Sequence, residues 1–553
     1  MLAGLAVVLA VKLTVVAQLH DHPLLQPAEG LDSEAYFELA RRVAAGDLAL
    51  GPEPFFLAPL YAYGLGLLLA VSDGSLLFAR IGQALLGTAA VGLIGETARR
   101  WAGPRAGWAA AALATAAGLF TFHEVLILQA ALDPFLTALA LYLLARALPD
   151  GGAARFAASG AAFGVFALNR PNALACAAVI ALALLWRRAT PRRWMPAAAF
   201  AAGTALAIAP ATLRNLAVAG EPVLIASHGG LNFYIGNNPD ADGTYRAVPG
   251  ITPNISGQAR DATRVAEQEQ GRRLTAGEVS RHFTWKAWGW IRDEPARAAA
   301  LFLRKLAYVF NEAELTLNNS YRYYSRDEPT LLRVLRVGPW LLVPLGLAGL
   351  LFGPQRGAPG YAVWASFVPA YALSVAVFFV SGRYRLPLLV PLCIGAGFAI
   401  ELAVPAHRGS RRRRFAAAAC AALGAVVALW PFRLDEGRAA EREQMALWLI
   451  DQGRLDEARA YTGGDQARRE LAAALERQGV ALAQQGRAAE AVRALEEAAR
   501  YDPTRASARL NLAVVHAQEG RTEDARRLVE EALRLRPDYP QALGLREALD
   551  RMR

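Results

Sequence analysis

Long apolar runs alternate with short basic turns over most of the chain. Eleven runs are long enough to cross, or nearly cross, a bilayer. They are Leu2–Leu19, Leu76–Gly95, Ala106–Phe120, Val125–Leu148, Phe156–Leu168, Ala173–Trp186, Ala197–Leu213, Pro339–Phe352, Ala362–Val380, Leu386–Val404 and Phe415–Trp430. The pattern predicts an all-α, polytopic helical membrane protein with about eleven spans. Lys12 interrupts the first run and no small-residue cleavage pattern follows it, so we expect a retained span rather than a signal peptide.

The basic turns predict how the spans are oriented, because Lys and Arg concentrate on the cytoplasmic side of a membrane. These turns lie at residues 98–105, 187–193 and 408–414 and at Arg356. All of them can be cytoplasmic only if the short run Ala58–Val71, which could span or lie in the interface, does not cross. We then expect outer loops at 20–75 and 219–336 and a C-terminus outside the cytoplasm.

Beyond Pro431 the composition changes to Ala, Glu, Arg and Leu at helical spacing, and a repeat emerges. Gly486-Arg487 recurs at Gly520-Arg521 and Pro503 at Pro537, and Gly453-Arg454 begins a degenerate earlier copy. This period resembles the tetratricopeptide repeat, whose helix pairs stack into a solenoid that binds other proteins. The sequence therefore predicts a transmembrane domain over residues 1–432 and a repeat domain over 433–553.

The amino-acid composition argues against several classes of protein and site. A chain with 54% hydrophobic and 19% charged residues is too apolar for an ordinary soluble protein. The net charge of +11 is explained by the basic turns, so we expect no nucleic-acid partner. Three cysteines in separate apolar runs fit neither a disulfide framework nor a zinc site. No metal site and no cofactor are predicted, although the sequence leaves a requirement for a divalent metal open.

The first candidate for chemistry is the stretch Leu31–Glu38, which follows the first apolar run and carries three carboxylates. Asp32 and Tyr36 are four residues apart, so they share one face of a helix. A carboxylate beside a membrane surface is a candidate general base. The alternative is a solvated first turn of an amphipathic helix with Asp32 as its N-cap.

Two further acids flank the start of the fourth apolar run. An ionisable side chain at membrane depth is costly and usually has a function, which makes Glu124 and Asp133 candidates for acid–base chemistry. For Asp133, which precedes Pro134, the alternative is that the pair merely begins a helix.

Cationic candidates lie at the predicted outer ends of spans. Arg170, in Asn169-Arg170-Pro171-Asn172, could pair with a phosphate or simply snorkel to the interface. Arg383 and Arg385 bracket Tyr384 directly before an apolar run. Because two Arg on the outer side break the usual charge bias, they favour anion binding.

A carboxylate base and several Arg beside a phosphate are what sugar transfer from a lipid-phosphate carrier requires. Here the chain resembles the GT-C superfamily of polyprenyl-phosphate-sugar glycosyltransferases, which includes the dolichyl-phosphate-mannose protein mannosyltransferases and the lipid A aminoarabinose transferase. The resemblance covers residues 1–405. It rests on motifs at 32–36, 58–63, 131–137, 170–172 and 383–387.

The resemblance implies a polyprenyl-phosphate sugar donor, inversion at the sugar, Asp32 as catalytic base and a second acid, Glu124 or Asp133, near the fourth span. It also implies a multi-pass protein of the cell (inner or plasma) membrane. The residues implied in substrate binding are Tyr36, Tyr61, Arg170, Arg383, Tyr384 and Arg385. Two departures matter: Ser33 stands where the family often has Glu, and Phe56-Leu57-Ala58 stands where a Lys often precedes the Pro-Leu-Tyr element. We therefore expect Arg170 or Arg383 to supply the donor-phosphate contact.

Two other functional classes compete with this interpretation. A transporter or lipid flippase usually shows internal repeats and paired broken helices near the midplane, and neither pattern is visible in the transmembrane part. A non-catalytic scaffold that presents the repeats would make Asp32 and the Arg pairs dispensable. On the predicted outer side, the repeats could present a protein acceptor, recruit a partner, or only assist assembly.

Overall fold

The computed structural model describes residues 2–28, 30–149, 151–186, 194–403, 411–432 and 434–552. Across these ranges the chain is helical, and one isolated bridge between Ala117 and Arg336 is the only β-type pairing. This confirms the all-α prediction. The chain forms two compact units, Met1–Glu436 and Gly437–Arg553, which divide a few residues beyond the predicted boundary. The predicted basic turn at 187–193, and Arg408 of the turn at 408–414, lie outside the described residues.

The first unit contains twenty α-helices within the described ranges. The first ten are α1 (Leu2–Leu19), α2 (Asp32–Ala44), α3 (Leu60–Val71), α4 (Leu76–Ala102), α5 (Pro104–Ala116), α6 (Gly118–Val125), α7 (Asp133–Ala147), α8 (Ala153–Asn169), α9 (Ala173–Leu185) and α10 (Trp194–Ala219). A connecting region follows with α11 (Gly229–Gly236), α12 (Ile255–Gln270), α13 (Ala276–Asp293), α14 (Pro295–Phe310) and α15 (Tyr321–Arg326). The last five are α16 (Pro339–Phe352), α17 (Tyr361–Ala365), α18 (Phe367–Ala376), α19 (Leu386–Ala403) and α20 (Arg411–Leu429).

Four helical stretches of the described residues are long and apolar enough to cross a membrane. They are Leu76–Ala102, Gln129–Ala147, Trp194–Ala219 and Gly382–Ala403. Shorter apolar helices occupy Ala3–Leu19, Leu60–Val71, Ala173–Leu185 and Tyr361–Ala376. The helices support a multi-pass protein, and the count of about eleven spans stays a prediction.

The predicted run Ala106–Phe120 is among those that the structure breaks. Ala106–Phe120 divides between α5 and α6 at Ala117, where the chain pairs with the segment around Arg336. There the amide of Gly118 donates to the Leu335 carbonyl at 3.2 Å, and the amide of Val337 donates to the Ala116 carbonyl at 3.1 Å. These bonds replace the helical ones that the break removes.

Small residues let two of the apolar helices approach closely. A Cβ atom on Gly160 of α8 would lie 1.9 Å from the Phe200 carbonyl oxygen of α10. In return, a Cβ on Gly203 of α10 would lie 2.0 Å from the Ala157 carbonyl oxygen. Such contacts between backbones are a usual way for helices to associate in a membrane, where the hydrophobic effect between helices is weak.

The second unit is a series of paired helices: α21 (Arg438–Asp451), α22 (Leu455–Tyr461), α23 (Asp465–Gln484), α24 (Ala488–Tyr501), α25 (Ala506–Gln518), α26 (Thr522–Leu535) and α27 (Pro540–Arg551). Gly453, Gly486 and Gly520, which mark the repeat, all have φ between 71° and 77°. A side chain is strained in this left-handed conformation, so glycine is the residue that ends the first helix of each pair here.

Candidate active site

Asp32 is the first residue of α2, and its carboxylate forms an ion pair with Arg383, 351 positions later. Leu31, not Asp32, occupies the N-cap position and makes no side-chain capping bond, so the N-cap alternative for Asp32 is wrong. The side chains of Asp32 and Arg383 are 13% and 11% exposed. Both groups therefore remain within reach of a ligand.

A cavity of about 180 Å³ adjoins this pair. We call it the Asp32 cavity. It is lined by Asp32, Tyr36, Phe56, Leu57, Ala58, Gln129, Arg170, Pro171, Asn172, Ala226, His228, Gly229, Asn232, Ile255, Ser374, Val375, Phe378, Phe379, Arg383 and Tyr384. Five of the nine predicted site residues meet here, from three separate parts of the chain.

Tyr36 shares the cavity with Asp32, as the spacing of four residues predicts. Its hydroxyl donates to Gln129 Oε1 at 2.5 Å, and its ring meets that of Tyr61 edge-on at 5.3 Å. Burial raises the pKa of the Tyr36 phenol. Tyr61 does not line the cavity: it is buried, and its hydroxyl donates to Gln83 Oε1 at 2.7 Å.

Asp133 begins α7 with Pro134 in its first turn, as the helix-start alternative predicts, and it is also an ion-pair partner. Arg170 Nη2 lies 2.6 Å from Asp133 Oδ2, and Asn169 Nδ2 donates to Asp133 Oδ1 at 2.8 Å. The Arg170 guanidinium also stacks 4.9 Å from the centre of the Tyr384 ring. Arg170 thus lines the cavity, but its guanidinium is already paired with the Asp133 carboxylate.

Glu124 lies elsewhere. Its carboxylate is 2.7 Å from Lys12 Nζ of α1, both side chains are almost fully buried, and Glu124 lines neither of the two cavities described in this section. Gly87 of α4 makes room for it, since a Cβ at that position would lie 2.0 Å from Glu124 Oε1. The predicted catalytic role of Glu124 stays a prediction.

Arg385 does not line the Asp32 cavity but a second cavity of about 580 Å³, which we call the arginine cavity. Five arginines and two glutamates are among its lining residues. These are Arg322, Arg326, Arg336, Arg383, Arg385, Glu312 and Glu314. Arg383 lines both cavities, so the Asp32–Arg383 pair lies where the two meet.

Several buried donors in the arginine cavity lack a hydrogen-bond acceptor in the described structure. Arg385 donates to the carbonyls of Tyr308 at 3.2 Å and Ala313 at 3.0 Å, and also to that of Asn311. Its Nε, however, is unsatisfied, as are Nε of Arg383 and Nδ2 of Asn318. Unsatisfied buried donors beside an excess of cations are the features of a site for an anion.

Burial raises the pKa of Glu314, at the wall of the arginine cavity, to about 7. The rise occurs although Glu314 accepts bonds from the amides of Tyr321 and Arg322. Near neutral pH part of the Glu314 population is therefore uncharged, which makes the cavity more positive.

His228 was not among the predicted site residues, although the sequence analysis covers its loop. It lines the Asp32 cavity and stacks on Phe56 with ring centres 4.4 Å apart. Its Nε2–H donates to Gln258 Oε1 at 3.1 Å, while Asn232 Nδ2 donates to its Nδ1 at 3.3 Å. Burial lowers the pKa of His228 to about 4, so the ring is neutral at physiological pH.

Gln129 was also missed. It follows an all-apolar stretch, and no motif singles it out. Its side chain contacts Tyr36 and its carbonyl accepts a bond from Asn169 Nδ2 at 3.0 Å. Among the described residues, no group of three or more His, Cys, Asp or Glu is placed to hold a metal ion.

Residues 54–213 match the family model described as dolichyl-phosphate-mannose-protein mannosyltransferase, and residues 482–549 match a tetratricopeptide repeat model. No curated protein shows significant similarity to the chain.

Several solved structures are similar to this chain at low identity, and two of them are described here. One is the archaeal oligosaccharyltransferase AglB from Archaeoglobus fulgidus in complex with an inhibitory peptide and a dolichol-phosphate, with 14% identity, a TM-score of 0.41, and coverage of 84% of this chain and 59% of that chain. The other is ArnT from Cupriavidus metallidurans bound to undecaprenyl phosphate, with 14% identity, a TM-score of 0.43, and coverage of 96% and 79%. The chain thus spans less than two thirds of the length of AglB.

The mannosyltransferase match includes the motifs at 58–63, 131–137 and 170–172, whereas Asp32 and Arg383 lie outside the matched segment. The repeat match covers the last two predicted copies. Together the two family matches confirm the predicted resemblance: one part of the chain is similar to dolichyl-phosphate-mannose-protein mannosyltransferases and another part to tetratricopeptide repeats.

Proposed function

We propose that the protein transfers a sugar from a polyprenyl-phosphate carrier to a hydroxyl group of an acceptor, with Asp32 as the general base. Asp32 takes the proton of the acceptor hydroxyl while the oxygen attacks the anomeric carbon of the sugar. The bond from that carbon to the phosphate oxygen breaks, and polyprenyl phosphate leaves with the bonding electrons. A single displacement of this kind inverts the configuration at the sugar.

The observation that carries this proposal is the position of the Asp32–Arg383 pair where the two cavities meet. Asp32 lines only the cavity that bears its name, so the acceptor hydroxyl approaches from there. Arg383 lines both cavities and has an unsatisfied Nε. A phosphate in the arginine cavity would therefore contact Arg383 and compete with Asp32 for it, which frees the carboxylate to accept a proton.

Arg383 and Arg385 would also stabilise the charge that grows on the departing phosphate. This stabilisation strengthens as the sugar–phosphate bond breaks, so it lowers the barrier rather than only tightening donor binding. Arg170 remains a proposed substrate-binding residue at the edge of the Asp32 cavity, with Tyr384 stacked between it and Arg383 at 4.9 and 5.4 Å.

The test is transfer by the purified full chain in proteoliposomes, supplied in turn with a panel of radiolabelled polyprenyl-phosphate sugars. We expect one donor to be consumed, with inversion in the product, and no transfer by Asp32→Asn. Reactions with and without EDTA decide whether a divalent metal takes part. Consumption of no donor, or an active Asp32→Asn enzyme, would contradict the proposal.

We also propose that the reaction occurs at the outer face of the cell membrane and that the repeats lie on the same side. The support is the predicted distribution of basic turns, including the Arg411–Arg414 cluster that begins α20. The repeats would then present a protein acceptor or recruit a partner.

A reporter that is active only outside the cytoplasm tests this sidedness. Fused after Arg553 it should be active, and fused near Arg188 it should be silent. An inactive reporter after Arg553 would place the repeats in the cytoplasm and separate them from the reaction.

A further inference from the structure

A non-helical stretch interrupts the apolar core of the first unit. Helix α6 ends at Val125, Leu126 and Leu128 have extended backbone dihedrals, and helical structure resumes only at Gln129. All three residues of the stretch are buried. Where the helix stops, the carbonyl groups lose the amide donors that a continuing helix would provide. At membrane depth water cannot replace those donors.

Two side chains of α4 donate hydrogen bonds to the carbonyl groups that this break leaves without helical partners. Gln83 Nε2 donates to the carbonyls of Glu124 at 2.7 Å and Leu126 at 3.1 Å. Arg80 Nε donates to the carbonyl between them, that of Val125, at 2.9 Å. Three consecutive carbonyls are thus held by one arginine and one glutamine.

Arg80 is 1% exposed although it lies in a helix apolar enough to span a membrane. In the part of the chain that the structure describes, no carboxylate lies within 4 Å of its guanidinium nitrogens, and its remaining donors reach the carbonyls of His20 and Leu25. A planar guanidinium can donate to three oxygens in different directions, whereas an ammonium group cannot match that geometry. An ionisable group at this depth is retained for a purpose.

The stretch held by Arg80 and Gln83 forms part of the wall of the arginine cavity, and the residue that follows it forms part of the wall of the Asp32 cavity. Leu126 and Leu128 line the arginine cavity, and Gln129 lines the Asp32 cavity. Gln83 Oε1 also accepts the hydroxyl of Tyr61, whose ring packs on Tyr36 beside Asp32.

We propose that Arg80 and Gln83 are positioning residues that fix the wall shared by the two cavities, and thereby the relative placement of donor and acceptor. They contact neither substrate in this scheme. The expected change in reaction rate rests on the proposed function. The expected loosening of the wall rests on the hydrogen bonds alone. A displacement of about 1 Å in such a wall costs about a hundredfold in rate when it misaligns reacting groups.

The structural arm measures hydrogen–deuterium exchange of the full chain in nanodiscs. In Arg80→Lys and Gln83→Glu, the peptide covering 124–132 should exchange at least tenfold faster than in the wild type. Gln355→Leu is the matched control, because Gln355 is equally buried and donates to the Gly349 carbonyl at 3.0 Å far from both cavities. Unchanged exchange at 124–132 in both test variants would overturn the proposal.

The kinetic arm separates positioning from general destabilisation. Among folded variants, kcat should fall roughly 10- to 100-fold in Gln83→Glu and Arg80→Lys, while the KM for the donor stays within about threefold. Gln355→Leu should lower thermal stability without this change in kcat. A normal kcat in both test variants would also overturn the proposal. If the wild type transfers no sugar, the proposed function fails, and the exchange data still decide whether the two residues hold the wall.

Discussion

Two long-range ion pairs in the first unit are chemically alike and differ in their surroundings. Asp32 pairs with Arg383 across 351 positions, and Lys12 pairs with Glu124 across 112. The side chains of the first pair are 13% and 11% exposed, and those of the second are 2% and 1% exposed. The first pair borders two cavities, while the second is enclosed by α1, α4 and α6.

This difference separates a pair that a ligand can reach from one that is closed to ligands in this structure. In the enclosed pair each charge has the other as its main compensation, so removal of one partner leaves a buried, unpaired charge. In the exposed pair, an incoming phosphate can take over the arginine and leave the carboxylate free to act. Exposure, rather than the identity of the residues, therefore points to the site of chemistry.

The largest effect is expected from breaking the enclosed pair. Lys12→Met should lower the free energy of unfolding by about 3–5 kcal/mol, because Glu124 stays buried without its cation. Thermal unfolding in detergent measures the loss. The double variant Lys12→Met/Glu124→Met should recover most of it, since no charge remains, and a double variant as unstable as Lys12→Met would contradict this account.

Asp32→Asn tests the exposed pair. The amide keeps the shape of the side chain but cannot accept the acceptor's proton, so transfer should fall about a hundredfold or more, which corresponds to about 2.7 kcal/mol. Sugar transfer in proteoliposomes measures the change. Glu38→Gln, on the same helix but with a largely exposed side chain, is the control and should remain active. Activity of Asp32→Asn within a few-fold of wild type would remove Asp32 from the mechanism.

A smaller effect should distinguish the two arginines that line the Asp32 cavity. Arg383→Lys should weaken binding of a polyprenyl-phosphate analogue about tenfold, or about 1.4 kcal/mol, because a point charge lacks the planar fork. Arg170 donates to Asp133 through Nε, and its Nη2 lies 2.6 Å from the same carboxylate oxygen, so Arg170→Lys should lower stability more than affinity. Titration of the analogue, followed by thermal unfolding of each variant, separates the outcomes. Equal loss of affinity in both variants would assign the phosphate to both arginines.

The smallest effect concerns His228 in the same cavity. Burial lowers its pKa to about 4, whereas the unfolded value is near 6.5. Its contribution to stability is therefore complete above pH 6.5 and is lost as the pH falls toward 4, since only the unfolded chain then binds a proton. Unfolding temperatures between pH 7.5 and 4.5 should fall less steeply in His228→Gln than in the wild type. Equal slopes would mean that His228 binds its proton as readily in the native protein as in the unfolded chain.

Local sequence patterns predicted the parts of the structure that depend on local geometry. The spacing of Asp32 and Tyr36 placed them on one face of α2, and both line one cavity. The recurrence of glycine at 453, 486 and 520 marked turns that share one left-handed conformation. Helical periodicity and positive φ are set by neighbours a few residues away, so one sequence suffices to detect them.

Local sequence patterns could not predict which distant residues pair with each other. Lys12 appeared only as an interruption of an apolar run, and nothing in a single sequence connects it to Glu124. Arg80 and Gln83, three apart inside an apolar run, carried a usable signal, because polar residues at membrane depth need partners. Their partners are backbone carbonyls, which every residue has, so the sequence could not have named them.

The Lys12–Glu124 pair also has a consequence for the order in which the helices insert during synthesis. The ribosome makes α1 more than a hundred residues before it makes the carboxylate that neutralises Lys12. Until α6 emerges, the first helix carries a lone ammonium group, which favours the lipid–water boundary over the bilayer interior. We therefore expect the N-terminal helix to take its final depth only after the sixth helix has been made, although it is the first helix to be synthesised.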